Sequence, residues 1–101
     1  MKVFSAHSDF SGFLGVAKTF RDAIYLLIEK DEIYSKYEFW DYEIDDWNTL
    51  EKKFGSKWPE KLAAMPIHEF NKFFALDVII NEEEIYEYKG ENKNAEYYYG
   101  V

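Results

Sequence analysis

From Thr19 to Lys30 the apolar residues Phe20, Ala23, Ile24, Leu27 and Ile28 recur at i, i+3, i+4, i+7 and i+8, the spacing of one helix face. Thr19 stands three residues before Asp22, a capping-box arrangement with Asp in place of the usual Glu or Gln. The pattern predicts an amphipathic helix ending near Lys30. A helix with one apolar stripe has to bury it against another element. The segments before it are short and strand-like: residues 3–6 and 13–18 read as two strands, separated by the turn-rich run His7-Ser8-Asp9-Phe10-Ser11-Gly12. Gly15 is a weak point or bulge in the second strand. The helix is therefore expected to pack on a sheet.

Residues 36–45 admit two periods. Alternation places Trp40, Tyr42 and Ile44 on one strand face, whereas Ile33, Tyr37, Trp40, Ile44 and Trp47 also fit helical spacing. The density of aromatics favours a strand. Asp45 or Asp46 is then placed to cap a helix carrying Trp47, Leu50 and Phe54, with Gly55 at its C-terminal end. Pro59 suits the first turn of a further helix, and Pro66 punctuates before residues 67–74. Residues 76–80 and 85–89 read as hairpin arms around 81–84, residues 90–94 as a loop, and Tyr97-Tyr98-Tyr99 as a last edge strand or a tail.

The expected order is β-β-α-β-α-α-β-β. It implies an α+β fold: one domain over residues 1–101, with a mainly antiparallel sheet of four to five strands packed against two to four helices. Residues 90–101 are expected to be a loosely ordered tail.

A chain of 101 residues supplies a single core. With 48% hydrophobic residues it has enough apolar surface to fold despite its charge. It contains no Cys, which excludes a disulfide framework, a thiol nucleophile and a zinc knuckle. No apolar run approaches the ~20 residues of a membrane span, and Met1-Lys2-Val3-Phe4 opens without the apolar region of a secretory leader. A cytoplasmic protein is the expectation.

The formal charge of −8 is concentrated in two places. Residues 31–46 hold seven acids (Asp31, Glu32, Glu38, Asp41, Glu43, Asp45, Asp46) against Lys36 alone, for a net −6. Residues 77–101 hold seven more, among them Asp77, Glu82, Glu83 and Glu84, for a net −5. The intervening stretch is mildly basic. Such a run can be a solvated face that keeps a small domain soluble. It can also be a surface for a basic partner, whose approach concentrated charge accelerates. Tyr34, Tyr37, Phe39, Trp40 and Tyr42 are interleaved with the first block, and aromatics are the anchors that tight interfaces favour.

Other chemistry finds little support. Residues 12–19 come near a phosphate-binding loop, but Ala17 stands where the second Gly belongs, and its Cβ obstructs a close backbone wrap. A strand leading into a capped helix accounts for the same residues. His7, Ser8 and Asp9 have the types of a triad, yet adjacent residues cannot converge in that geometry. His68-Glu69 lacks the second His four residues on that a zinc protease helix needs. The calcium loop pattern is missing, and Glu82, Glu83 and Glu84 would point different ways on a strand, so no metal or cofactor is expected. Lys52, Lys53, Lys57 and Lys61 surround Phe54 and Trp58. Within so acidic a chain they are read as balancing neighbouring acids rather than holding nucleic acid.

The expectation is a non-enzymatic acidic protein that occupies a basic site on a partner protein, with no direct nucleic-acid or membrane contact. Carboxylates spaced along a surface can imitate a phosphate backbone, so the partner could be a nucleic-acid-binding enzyme. In composition, and in that alone, the chain is similar to small acidic inhibitors encoded by phages and mobile elements. The candidate contact residues are Glu38, Trp40, Asp41, Tyr42, Glu43, Asp45 and Asp46, with Glu82, Glu83 and Glu84 as a second patch. The alternative is a small-ligand-binding or enzymatic domain with an aromatic-lined pocket.

Overall fold

A computed structural model describes residues 1–86. The elements run β1 (Lys2–Ser8), β2 (Gly12–Ala17), α1 (Phe20–Glu29), β3 (Glu38–Asp41), β4 (Asp46–Thr49), α2 (Leu50–Phe54), α3 (Trp58–Ala63), α4 (Ile67–Phe73) and β5 (Val78–Glu84). The fold is α+β and both sheets are antiparallel. The strands do not form one sheet, however. β2, β1 and β5 make a three-stranded sheet in that order, and among the described residues β3 and β4 pair only with each other.

α1 forms where its periodicity predicts. The Thr19 side chain accepts from the Asp22 N–H at 3.0 Å, satisfying one of the free donors at the helix start. Ala23, Ile24 and Leu27 are fully buried. They meet Ala6, Val78 and Ile80 from the sheet and Leu62, Phe70 and Phe74 from the later helices. Full burial of each large apolar side chain contributes about 1.5–3 kcal/mol relative to exposure. The irregularity expected near Gly15 is present: Ala6 faces Gly15 and His7 faces Phe13, so Leu14 is the extra residue of a bulge. A Cβ on Gly15 would stand 3.1 Å from Leu26 Cδ2, so the helix passes close over the strand there.

Three local expectations are corrected. The strand sought in residues 36–45 stops at Asp41, and Tyr42 and Ile44 lie in the turn before β4 rather than on a shared strand face with Trp40. Neither Asp45 nor Asp46 caps a helix. Thr49 does, its side chain accepting from the Lys52 N–H at 3.2 Å, so that Trp47 belongs to β4. Residues 81–84 are not a turn: β5 runs straight through them, pairing Asn81, Glu82, Glu83 and Glu84 with Ser5, Phe4, Val3 and Lys2. A run of polar residues resembles a turn when its partner strand is far away in sequence. Here the partner is the first strand of the chain, and Lys2 offsets the charge with a 3.3 Å contact to Glu82. The expectations for residues 87–101, including the second hairpin arm, the loop and the tyrosine-rich end, lie outside the described residues.

Among the described residues β5 is an edge strand of its sheet, and α4 covers part of that edge. Asn71 Nδ2 donates to the Ile80 carbonyl at 3.0 Å, and the Ile80 N–H donates to Asn71 Oδ1 at 2.9 Å. One amide side chain thus stands in for a neighbouring strand. α4 ends in a tight reversal in which the Leu76 N–H donates to the Asn71 carbonyl and the Asp77 N–H to the Phe74 carbonyl. Ala75 and Leu76 take left-handed conformations there, with φ of 51° and 69°. The reversal delivers Asp77 towards the hairpin.

Candidate functional site

β3 and β4 form a short hairpin whose two faces differ. Phe39 and Asn48 are directly opposed and both are buried. Phe39 packs on Phe73 of α4 at 4.8 Å between ring centres. On the other face Trp40 opposes Trp47, with ring centres 5.6 Å apart and planes at 80°, an edge-to-face pair that aromatic quadrupoles favour. Tyr42 extends the cluster, 6.3 Å from Trp40. Trp47 is 59% exposed and Tyr42 87%, and Ile44 in the turn is also exposed. These side chains are therefore not spent on the core.

The hairpin acids are also unequal. Asp41 is buried, and its carboxylate accepts from Lys53 Nζ at 3.1 Å and from the Glu43 N–H at 3.0 Å. The Lys53 ammonium, aided by the backbone donor, holds the Asp41 carboxyl below the usual carboxylate range. Lys53 also stands 5.7 Å from the Phe39 ring centre and 6.0 Å from that of Phe73. Glu38, Glu43, Asp45 and Asp46 are exposed and form no salt bridge among the described residues.

Between the hairpin and the C-terminal half of α4 lies an open cavity of about 720 Å³. Its aromatic lining comes from Tyr37, Phe39, Trp40, Tyr42, Trp47, Phe73 and Phe74, and its charged lining from Glu38, Asp41, Glu43, Lys53, Glu69, Lys72 and Asp77. The Tyr37 hydroxyl donates to Asp77 Oδ2 at 2.9 Å, and the ring packs edge-on against Phe74. Burial first, and then the Asp77 bond, push the Tyr37 phenol well above its ordinary pKa. Comparison with known protein families, curated proteins and solved structures yields no match. The geometry of the site carries its interpretation.

Of the candidate contact residues, Glu38, Trp40, Asp41, Tyr42 and Glu43 come together on the cavity wall, while Asp45 and Asp46 sit at the hairpin turn and β4 start outside it. Glu82, Glu83 and Glu84 are not brought to this place. They occupy the far end of β5, roughly 16–23 Å from Asp77 by strand rise. Asp77, grouped by sequence with that second block, instead joins the first.

Sequence reasoning missed Glu69 and Lys72 as lining residues, and no local signal marks them; Tyr37 stands out only as an aromatic of the first acidic block and Asp77 only as an acid of the second. Lys53 was within reach, because a lysine balancing a neighbouring acid was the expectation for its cluster. The triad types do not converge: His7 Nε2 lies 3.0 Å from Ser5 Oγ, and Ser8 Oγ accepts from the Ser11 N–H. Among the described residues no group of three His, Asp or Glu could hold a metal ion, and no helix is long and apolar enough to cross a membrane.

Proposed function

We propose that this chain is a non-enzymatic binding protein whose β3–β4 hairpin engages a basic site on a partner protein. The observation that supports the reading is the exposure of Trp47 and Tyr42 on one hairpin, beside carboxylates that form no salt bridge among the described residues. Large exposed aromatics in a contiguous patch characterise interaction surfaces. Carboxylates around them supply steering towards a positive partner. A basic site of this kind is found on nucleic-acid-binding enzymes, and an acidic hairpin would compete there with phosphate, as a phage or mobile-element inhibitor would.

The test is affinity capture from the native cell at low and high salt, using the wild-type chain and a variant carrying Glu38→Gln, Glu43→Gln, Asp45→Asn and Asp46→Asn. The expected result is a basic protein retained by the wild type, released at high salt and absent with the variant. Capture that survives the four substitutions removes the reading.

The cavity favours a second reading, a small-ligand-binding or enzymatic domain with an aromatic-lined pocket. Metabolite extracts passed over the immobilised chain decide it: a retained small molecule displaced by Trp40→Ala would support this alternative over the first.

A further inference from the structure

We infer that the cavity between the β3–β4 hairpin and α4 is an arginine pocket, filled by a guanidinium that the basic partner presents. The inference rests on the binding role proposed above and adds the residue type that anchors it. The charged lining contains five carboxylates and two ammonium groups. Lys53 is committed to Asp41 at 3.1 Å. Set against the remaining carboxylates, Lys72 leaves the cavity three negative charges in excess, so the complementary guest is a cation.

The walls select among cations. Trp40 and Trp47, whose ring planes meet at 80° with centres 5.6 Å apart, both contribute aromatic surface to the lining. A guanidinium is planar and weakly hydrated and stacks on aromatic faces while its five N–H groups reach carboxylates side by side. A lysine ammonium is a compact, strongly hydrated point charge that gives up more on leaving water. Acceptors are present on both sides: Glu43 on the hairpin, and Glu69 and Asp77 on the α4 side. Lys72 is the opposing element. It is exposed, one turn of α4 from Glu69, and repels any cationic guest, so its removal should tighten binding.

The test uses the full chain and two synthetic ten-residue peptides, one alternating Arg with Gly and one alternating Lys with Gly, titrated calorimetrically. The arginine peptide is expected to bind about 5-fold more tightly than the lysine peptide. Glu69→Gln should weaken the arginine peptide about 3-fold, and Lys72→Gln should strengthen it by a similar factor. Both positions are exposed, so the variants keep the fold, which circular dichroism checks. Glu29→Gln, exposed at the end of α1 and outside the cavity, should leave the arginine-to-lysine ratio unchanged.

Equal affinities for the two peptides, or indifference to Glu69→Gln and Lys72→Gln, overturn the pocket. If hairpin carboxylates still matter in that case, the binding role stands without it. Failure of both peptides to bind overturns the binding role, and the pocket with it.

Discussion

Lys53 of α2 reaches the buried carboxylate of Asp41 at 3.1 Å, and this pair joins the helix that follows the hairpin to the end of β3. The Lys53 ammonium stands 5.7 Å from the Phe39 ring centre and 6.0 Å from that of Phe73. The pair therefore consumes the one buried acid of the hairpin and leaves its exposed acids without an ion pair among the described residues. That division of charge is what makes the hairpin a candidate surface rather than a set of internal ion pairs.

The Asp41–Lys53 pair gives a pH dependence with a definite sign. Asp41 has a folded pKa below its ordinary 3.8, so its contribution is present above about pH 4 and is lost as pH falls through the depressed value. Lys53→Met keeps an unbranched side chain of similar length and removes the charge. The variant should be less stable than wild type at pH 7 in urea denaturation. The difference should shrink below pH 4, where Asp41 is protonated in both chains when unfolded.

Asn71→Ala removes both hydrogen bonds to Ile80 and leaves a strand edge partly covered and unsatisfied. Losing buried partners of this kind costs about 2 kcal/mol. The urea midpoint should fall accordingly, and the Ile80 amide should lose protection in hydrogen exchange before its neighbours in β1 do. The opened edge should also raise the tendency to aggregate.

Ala75 occupies the position after α4 that glycine usually takes, at φ 51°. Ala75→Gly relieves the clash of Cβ with the left-handed backbone and adds some unfolded-state entropy. The net effect should be a gain of about 0.5–1 kcal/mol. An unchanged or lower urea midpoint would show that the reversal is held without strain.

The legible and illegible parts of this fold differ in range. α1 could be read because its stripe and its Thr19 cap are both contained in a dozen residues. Thr49 was overlooked because Trp47, Leu50 and Phe54 share helical spacing whichever residue caps them, and only the pairing of Trp47 with Trp40 decides that Trp47 is on a strand. Asn81 to Glu84 look like a turn until β1, nearly eighty positions earlier, supplies their partners. The hairpin half of the site was visible as charge and aromatic residues mixed in one segment. The α4 half was not, because Glu69, Lys72 and Asp77 meet it only through packing of Phe73 and Phe74.

Tyr37 predicts behaviour at alkaline pH. Its phenol holds its proton above the ordinary value of 10, so the associated stability is complete below pH 10 and declines as pH rises beyond it. Tyr37→Phe should lose about 1 kcal/mol at pH 7 through the missing bond to Asp77. It should also show a shallower loss of stability than wild type between pH 10 and 11, measured by thermal unfolding across that range.

The most direct measurement of the central claim is residue-resolved NMR of the full chain titrated with the arginine–glycine peptide. The expected result is that the largest amide shifts fall on residues 38–49, with the Trp40 and Trp47 indole signals moving together, and that added salt reverses them. Shifts centred on Glu82, Glu83 and Glu84, or spread evenly over the acids of the chain, would contradict it.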